Sequence, residues 1–433
     1  MASRTRMIGI ALAAWTLAVC GLLALPGGAW SHSSLRSSTP AADAVVEDAP
    51  SMVELRFSES VTPGPDAVTV YAPDGATVQT GAAQSEADGT LLRQSLETTQ
   101  RGTHAVAFRV TSGDGHTIAG SVTFHVGERG QGNKAAELGR AQARVSPAMF
   151  TAFGVSRFFV VMALLGAVGS ALFGLLLAPR WRVRWLGRLL VLLVLALAVS
   201  VVLDGAIVRG TGIGSALEGE GLRASIQNPF GSAALVTGAL AILALVPAGL
   251  LRSGAASMGT VSRAALVLVF VGLTASMSLA GHAAVDEPVA IRLPLDVLHV
   301  LAAAVWLGGL LQLGALAPQA HEHLDAIKRF SKVAFGCVLT LLATGIYATV
   351  SELGLDPREL VETQYGRIIL AKLVLYAGTM PLAWLNMTLY VPTLARRPDR
   401  ATGLLRQYVG RELFLLLVVV GLTAWLIGSD PSA

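Results

Sequence analysis

Apolar and polar positions divide this chain of 433 residues into two regions with different periodicities. In residues 32–127, short segments alternate apolar with polar side chains, and turn-forming glycine, proline and aspartate separate them. Alternation with period 2 predicts strands with one buried face. From residue 153 onward the pattern changes to apolar runs that are long enough to span a bilayer, which needs about 20 residues. The pattern therefore predicts a small antiparallel β-sandwich of the Greek-key, immunoglobulin-like type, followed by an all-α bundle of membrane helices.

The bounds of the predicted elements follow from the same pattern. The alternating segments predict strands at Val53–Phe57, Val68–Ala72, Ala105–Val110 and Val122–Val126. The apolar runs predict eight membrane helices, at about residues 153–178, 189–208, 231–251, 264–282, 293–317, 333–350, 368–390 and 412–428. Residues 128–152 begin as a polar stretch without periodicity, and we interpret them as a linker between a domain at 32–127 and a domain at 153–428.

Residues 1–31 have the features of a secretory signal peptide, with two arginines before an apolar run and a small-x-small sequence that ends at Ser31. Cleavage at that point would make His32 the first residue of the mature protein. Two alternatives stay open, namely a lipoprotein signal that is modified at Cys20 and an uncleaved membrane anchor.

Composition places most of the chain in lipid. Hydrophobic residues make up 53% of it and charged residues only 14%, with a mean hydropathy of +0.62, whereas soluble domains contain about 25% charged residues. The net charge of +4 comes mainly from arginines near the helix ends and gives no reason to expect nucleic acid as a partner. Lysine and arginine are concentrated in the loops predicted to be cytoplasmic, so the positive-inside rule places the sandwich and the C-terminus on the periplasmic or extracellular side. The two cysteines, Cys20 and Cys337, lie in different apolar runs and predict neither a disulfide framework nor a Cys-x-x-Cys metal site.

Three residues of the sandwich region have the donor atoms of a copper site. His32, as a mature N-terminus, would offer an α-amino and an imidazole nitrogen from one residue. Asp114 and His116, in the sequence SGDGHT, add a carboxylate and a second imidazole on one side of an extended segment. Three nitrogens and one oxygen suit Cu(II), which leads the divalent affinity order. On spacing alone, a surface β-turn with a capping Asp114 and a solvated His116 stays open as the alternative.

Two longer segments surround these residues, HSSLRSSTPAADAVVEDAPSMVELRFSESV and FRVTSGDGHTIAGSVTFHV. They cover nearly all of residues 32–127 and resemble the CopC family of periplasmic copper-binding proteins. The resemblance implies a Cu(II) ion bound by His32, Asp114 and His116. Family members that also hold Cu(I) have a Met-rich loop, whereas this domain contains only Met52, so a Cu(II)-only site is expected.

The predicted fifth membrane helix, around Leu293 to Gly314, carries ionisable groups inside an apolar run. Asp296 and His299 are three positions apart and share one helix face, and Trp306 falls near that face. Ionisable groups inside a membrane cost about 3 kcal/mol each and are usually functional. The pair Gly308-Gly309 predicts a close approach of another helix.

Other polar or sulfur-containing residues are predicted at a similar depth, in the outer third of the membrane or just below it: Asp204, Met277, His282 and Lys372. The candidate ligands of a transported metal are His282, Asp296 and His299, with Met277 as a weaker one, since imidazole and thioether suit copper. The candidate supporting residues are Asp204, Lys372 and Trp306. Snorkelling to the interface stays open as the alternative for the outer polar residues, and packing for Met277. Lys372 could also neutralise a carboxylate such as Asp296.

The membrane region contains several short motifs, among them GHA at 281–283, HVLAAAVWLGG at 299–309 and YGRIILAK at 365–372. They resemble the CopD family of copper-resistance membrane proteins, and the resemblance covers about residues 153–428. It implies copper uptake across the inner membrane, with the outer histidines as candidate ligands.

The whole chain thus resembles a CopC–CopD fusion, and this resemblance leads to a hypothesis of copper transport and homeostasis rather than enzymatic catalysis. Cu(II) would be captured outside the cytoplasmic membrane, passed to the membrane site and imported. Copper ions and the lipid bilayer would be the partners, and the sequence identifies neither a copper chaperone nor a reductase. The absence of a Walker motif leaves passive or gradient-driven transport.

Three alternatives remain at this stage. Sequestration, with copper resistance but no transport, requires only the outer site. A copper-dependent monooxygenase would use the chelating N-terminal histidine. A haem protein would use His282 and His299 as ligands.

Overall fold

The computed structural model describes residues 35–113, 115, 117–130, 134–144, 146–212, 217, 219–252, 254–256, 258–279, 288–353, 358–362, 364–396 and 401–428. They form a β-sandwich that is docked on one end of a bundle of long apolar helices.

The sandwich contains eight strands, which are β1 Leu35–Thr39, β2 Val45–Val46, β3 Met52–Phe57, β4 Val61–Tyr71, β5 Gln79–Glu86, β6 Leu91–Leu96, β7 Gly102–Ser112 and β8 Thr117–Val126. One four-stranded sheet has the order β1-β3-β6-β5 and the other the order β2-β8-β7-β4. All pairs are antiparallel except the short β2–β8 pair. The predicted strands correspond to β3, β4, β7 and β8, and the predicted sandwich is confirmed.

Alternating burial along β3 follows directly from its sequence. Val53, Leu55 and Phe57 are at most 2% exposed and face the opposite sheet, while the residues between them face outward, because successive side chains of a strand point to opposite sides. Phe57 packs edge-on against Phe108 of β7, with 5.6 Å between ring centroids. These contacts join the two sheets across the core.

A helix, α1 (Lys134–Ala143), lies within the stretch that polarity predicts to be a linker. It packs against the outer face of β7, where a Cβ atom on Gly139 would lie 3.0 Å from the Cβ of Ala105. Every residue of β7 is therefore buried, on both faces of the strand. Because α1 turns only two alanines and this glycine toward the sheet, its amphipathic pattern is too weak to read from the sequence.

Two histidines of β7 and β8 are buried. Alternation predicts a half-buried His104 and a solvated His125, and the second prediction is wrong: His125 is 8% exposed, and its Nδ1 lies 3.0 Å from Thr103 Oγ1. His104 is fully buried and stacks on Phe124 at 5.1 Å. Burial, the larger effect, lowers the pKa of His104 against the raising effect of the Gly102 carbonyl.

The membrane domain is helical throughout the part that the structure describes. Its α-helices are α2 Pro147–Leu172, α3 Leu186–Arg209, α4 Gly219–Gln227, α5 Pro229–Leu243, α6 Leu245–Leu251, α7 Thr260–Ser278, α8 Val289–Leu316, α9 Leu324–Leu353, α10 Glu359–Glu362, α11 Gln364–Leu385, α12 Val391–Arg396 and α13 Ala401–Gly428. Eight helical segments of the described residues are long and apolar enough to cross a membrane, and α5–α6 and α11–α12 each form one of them. The eight predicted membrane helices all correspond to one of these segments.

Helices α2 and α8 approach each other most closely at two glycines. A Cβ atom on Gly308 would lie 2.5 Å from backbone atoms of Gly169, and one on Gly169 would lie 1.7 Å from the carbonyl oxygen of Ala304. The neighbouring Gly309 leaves room for the ring of Phe330, since a Cβ atom on Gly309 would lie 1.9 Å from that ring. The predicted close helix approach at Gly308-Gly309 is therefore confirmed.

Arg109 of β7 joins the sandwich to the membrane domain. Its side chain is 4% exposed. One guanidinium nitrogen donates to the carbonyl oxygen of Ile207 near the end of α3, at 3.1 Å, and another donates to that of Gln142, at 2.6 Å. The β7–β8 ladder closes at the pair Thr111–Thr117, just beyond Arg109. This end of the sandwich therefore faces the end of α3.

Candidate metal path in the membrane domain

Four predicted site residues lie outside the described residues: His32, Asp114, His116 and His282. The flanks of SGDGHT are described, since β7 ends at Ser112 and β8 begins at Thr117. Gly113 N donates to Ser60 O at 3.2 Å, which ties the end of β7 to the start of β4. The described strand ends at Ser112 and Thr117 lie at the end of the sandwich that carries Arg109. Asp114 and His116 fall between them in the sequence.

His299, in the first half of α8, has one ring nitrogen engaged by a neighbouring helix. Its Nδ1 lies 2.8 Å from Thr344 Oγ1 on α9, and the same hydroxyl donates to Thr340 O at 2.8 Å. A hydroxyl has a single proton. Because Thr344 gives that proton to the backbone, it accepts from Nδ1–H, and Nε2 of the neutral imidazole keeps its lone pair. Such an outer hydrogen bond is how metal-binding histidines are commonly oriented.

Two charged residues lie near His299. Asp296 is one turn earlier on α8 and has Ser278, at the end of α7, as its polar neighbour. Lys372 of α11 is within electrostatic range of His299. Among the described residues Lys372 and Asp296 form no salt bridge. We call Asp296, His299, Thr344 and Lys372 the outer site.

The outer site offers a donor set that is incomplete by itself. A free imidazole nitrogen and a carboxylate oxygen are both copper ligands, but no group of three or more His, Cys, Asp or Glu side chains within the described residues is close enough to hold a metal ion. His282 follows Ser278 by four positions in the sequence, so the segment that connects α7 to α8 contains a further imidazole. Met277, on α7, packs against the hydrophobic core.

Asp204 belongs to a different cluster. It is 3% exposed and accepts hydrogen bonds from Ser225 Oγ and Asn228 Nδ2, both at 2.7 Å. The Arg157 guanidinium of α2 interacts with it electrostatically. Since these partners come from α2, α4 and the residue that caps α5, the described contacts do not bring Asp204 to His299. Its hydrogen bonds and nearby cation indicate a packing role near the docked sandwich.

Trp306 lies two turns beyond His299 on α8 and is fully buried. Its Nε1 donates to Glu412 Oε2 of α13 at 3.4 Å, and Asn386 Nδ2 donates to Glu412 Oε1. Sequence reasoning missed Glu412, which is 3% exposed. The available signal was a lone carboxylate directly before the apolar run LFLLLVVV, at the residue where the eighth membrane helix was predicted to begin.

Comparison with known sequence families follows the same division of the chain. The CopC domain family matches residues 35–127. The family described as the N-terminal domain of copper resistance protein D-like proteins matches residues 148–293, and the copper resistance protein D family matches residues 324–426. The chain is a member of the CopC–CopD fusion proteins. Residues 294–323 of the fusion, which include His299, lie between the two membrane-domain matches.

Individual relatives cover either the whole fusion or one of its parts. "Copper transport protein CutJ" of Bacillus subtilis is 25% identical over 96% of this chain and 77% of its own length. "Protein YobA" of Escherichia coli is 35% identical and matches 29% of this chain and 99% of its own length. "Copper resistance protein D" of Pseudomonas syringae pv. tomato is 27% identical and matches 36% of this chain and 56% of its own length. The fusion is therefore a multi-pass membrane protein whose two parts also match separate proteins.

Proposed function

We propose that this fusion protein binds copper outside the cytoplasmic membrane and imports it. Cu(II) is captured by the sandwich through His32, Asp114 and His116, once cleavage after Ser31 has exposed His32. The ion then passes to His282, Asp296 and His299 and crosses toward the cytoplasm. A relative named for copper transport that aligns with 96% of the chain supports copper as the cargo. The charge asymmetry of the loops supports an outer sandwich and an outer C-terminus.

The strongest support comes from His299. An imidazole in a membrane helix whose Nδ1 is held by Thr344 at 2.8 Å presents Nε2 as a fixed, neutral donor, and Asp296 adds an anionic oxygen one turn away. Both lie in the first half of α8, toward its outer end, where a copper cation would enter from outside. Among the described residues, Lys372 is the one cation near the imidazole, so a copper ion at His299 requires the ammonium group to move away or lose its proton.

The docking of the sandwich supports a direct transfer. Arg109 holds the end of β7 against α3, and Asp114 and His116 belong to the connection that follows β7. A second contact on this side is the ion pair of Arg209 with Glu220, at 2.9 Å, with Asp66 of the sandwich 3.9 Å from the same arginine. A tethered binding domain raises the local metal concentration above the path, so it matters most when copper is scarce.

Thr344→Val tests the orientation of His299. Valine has the shape of threonine but cannot accept from Nδ1, so the imidazole loses its fixed tautomer. Loss of an outer hydrogen bond of this kind lowers metal affinity about 10–100-fold, and the half-saturating copper concentration for uptake should rise accordingly. Thr344→Ser keeps the hydroxyl and should take up copper like the wild type. Equal half-saturation in the valine and serine variants would contradict the assigned role of Thr344.

The proposed function as a whole is tested in a copper-starved host that expresses either the full chain or a chain whose signal segment is joined directly to residue 128. We expect the full chain to raise cytoplasmic copper. The shortened chain should match it at high external copper and fall behind at low copper, because only capture is lost. Copper is measured in the cytoplasmic fraction, and membrane insertion of both chains is checked by immunoblot.

Two outcomes would contradict import. If the full chain protects cells from copper without raising cytoplasmic copper, the protein sequesters the metal. If oxygen is consumed and peroxide is formed when the copper-loaded protein receives a reductant, the outer domain is an oxidative enzyme.

A further inference from the structure

Glu412 is a buried carboxylate that the outer site does not use. Its two hydrogen-bond donors, the Trp306 indole and the Asn386 amide, are neutral. No cation forms a salt bridge with it among the described residues. An ionised carboxylate without a cation is strongly disfavoured inside a membrane. Glu412 therefore needs a bound proton or a passing cation to neutralise it.

Glu412 lines a cavity between α8, α9, α11–α12 and α13, which we call the Glu412 cavity. The other polar side chains that line it are Ser331, Asn386, Tyr390 and Tyr408. Ser331 Oγ is buried and has no hydrogen-bond partner among the described residues, so the cavity contains a polar group that a water molecule can satisfy.

The backbone is irregular at the wall of this cavity. Residues Asn386–Tyr390 form a π-helical turn between α11 and α12, and such turns occur often at functional sites. The turn brings Asn386 to Glu412 and stacks Tyr390 on Tyr408, with 3.5 Å between ring centroids. With the sandwich outside, the lining residues Ile327, Leu394 and Leu405 lie toward the cytoplasmic ends of their helices.

Two aromatic side chains, Trp306 and Tyr376, lie between the outer site and the Glu412 cavity along α8 and α11. Trp306 lies seven residues after His299, about 10 Å farther along α8. Its ring packs edge-on against that of Tyr376, with 6.1 Å between ring centroids. Tyr376 is one turn from Lys372 on α11 and donates to Val338 O of α9. Trp306 thus contacts both Glu412 and Tyr376, and we call the two aromatic side chains the Trp306–Tyr376 layer.

The titratable groups around Glu412 are few. Tyr390 and Tyr408 share its cavity, and Arg411 interacts with Tyr408. Cys337 of α9 lies beside Tyr376. On α2 the one ionisable residue is Arg157, which accompanies Asp204 near the docked sandwich. None of these provides a fixed positive partner for Glu412.

We propose that Glu412 is a proton-binding site of the copper path, which releases its proton into the Glu412 cavity when a copper cation passes the Trp306–Tyr376 layer. The carboxylic acid becomes a carboxylate, and its proton passes to water in the cavity and on toward the cytoplasmic side. The carboxylate then neutralises one of the two positive charges of a Cu(II) ion. When copper departs to the cytoplasm, the carboxylate takes up a proton again. This inference rests on the proposed copper transport and adds a group that neutralises part of the charge of the cation.

Infrared difference spectroscopy of the full chain in lipid nanodiscs tests the proton site. The copper-free wild type minus Glu412→Gln should contain the carbonyl band of one protonated carboxyl group, and adding copper to the wild type should remove that band. Glu412→Asp should retain a shifted band that responds to copper, and its presence also guards against misfolding of the glutamine variant. Glu362→Gln, at an exposed carboxylate of α10, is the matched control and should leave the spectrum unchanged.

The outcomes separate this inference from the transport proposal. If the wild type minus Glu412→Gln contains no protonated carboxyl band, or if copper leaves the band unchanged while cells still accumulate copper, the proton site is wrong and import stands. If cells accumulate no cytoplasmic copper but the band disappears when the pH is raised, import is wrong and the proton-binding role of Glu412 stands. Loss of the band with copper, together with copper accumulation, supports both.

Discussion

Replacing His299 with alanine is expected to abolish the gain in cytoplasmic copper that the wild-type chain produces. Alanine removes the Nε2 donor that Thr344 orients, and the outer site then offers a copper cation only the Asp296 carboxylate. Copper binding by the sandwich should be unchanged, because His299 lies in the membrane domain. The measurement is cytoplasmic copper by elemental analysis after cell fractionation, together with copper per chain in the purified protein.

His321→Ala is the matched control for this substitution. His321 is also a histidine of the membrane domain, but it lies beyond the end of α8. Its side chain is 58% exposed, and its Nε2 lies 3.6 Å from Glu322 Oε1. It should accumulate copper like the wild type. Wild-type accumulation by the His299→Ala variant would remove the outer site from the copper path and leave the protein as a tethered copper-binding domain.

Gly308→Leu is expected to prevent the membrane domain from folding. A Cβ atom at this position would overlap backbone atoms of Gly169 at 2.5 Å, so no change of side-chain rotamer relieves the collision and α2 must separate from α8. Overpacking of flexible side chains alone costs about 1–3 kcal/mol, and a backbone collision exceeds that. Detergent-extracted protein should elute as aggregate in size-exclusion chromatography, where the wild type elutes as a single species.

Gly272→Leu provides the comparison for that experiment. Gly272 lies on α7, and a Cβ atom there would meet nothing within 4 Å, so leucine should extend into lipid without harm. If both variants elute like the wild type, the α2–α8 contact is not essential for the bundle. If both aggregate, the effect comes from replacing glycine in a membrane helix and not from the contact.

Much of the fold could be predicted because its signals are local. The alternation of Val53, Leu55 and Phe57 predicts a strand without reference to the rest of the chain. Likewise, the length of each apolar run predicts a membrane helix, because a bilayer has a fixed thickness. The pair Gly308-Gly309 predicted a close approach of another helix, since small residues permit helices to approach in lipid; the structure identifies that helix as α2.

The parts that could not be predicted depend on contacts between distant segments. Helix α1 is polar on its exposed side and small on its buried side, so its packing on β7 could not be predicted from its own sequence. The burial of His125 depends likewise on its contact with Thr103 of β7. Asp204 was predicted at the depth of His299, and depth alone does not say which neighbouring helices face a residue. Glu412 stands at the start of an apolar run, where a carboxylate is usually taken for a helix end.

The sequence by itself determined the two-domain organisation, the number of membrane helices and the family, because periodicity, run length and motif spacing are properties of the chain. It also placed Asp296 and His299 on one helix face, since the pitch of an α-helix is fixed. Only the tertiary structure decided that Thr344 holds Nδ1 of His299, that Asp204 belongs to another cluster and that Trp306 reaches Glu412. Those pairings join residues 45, 21 and 106 positions apart, and which helices pack together determines them.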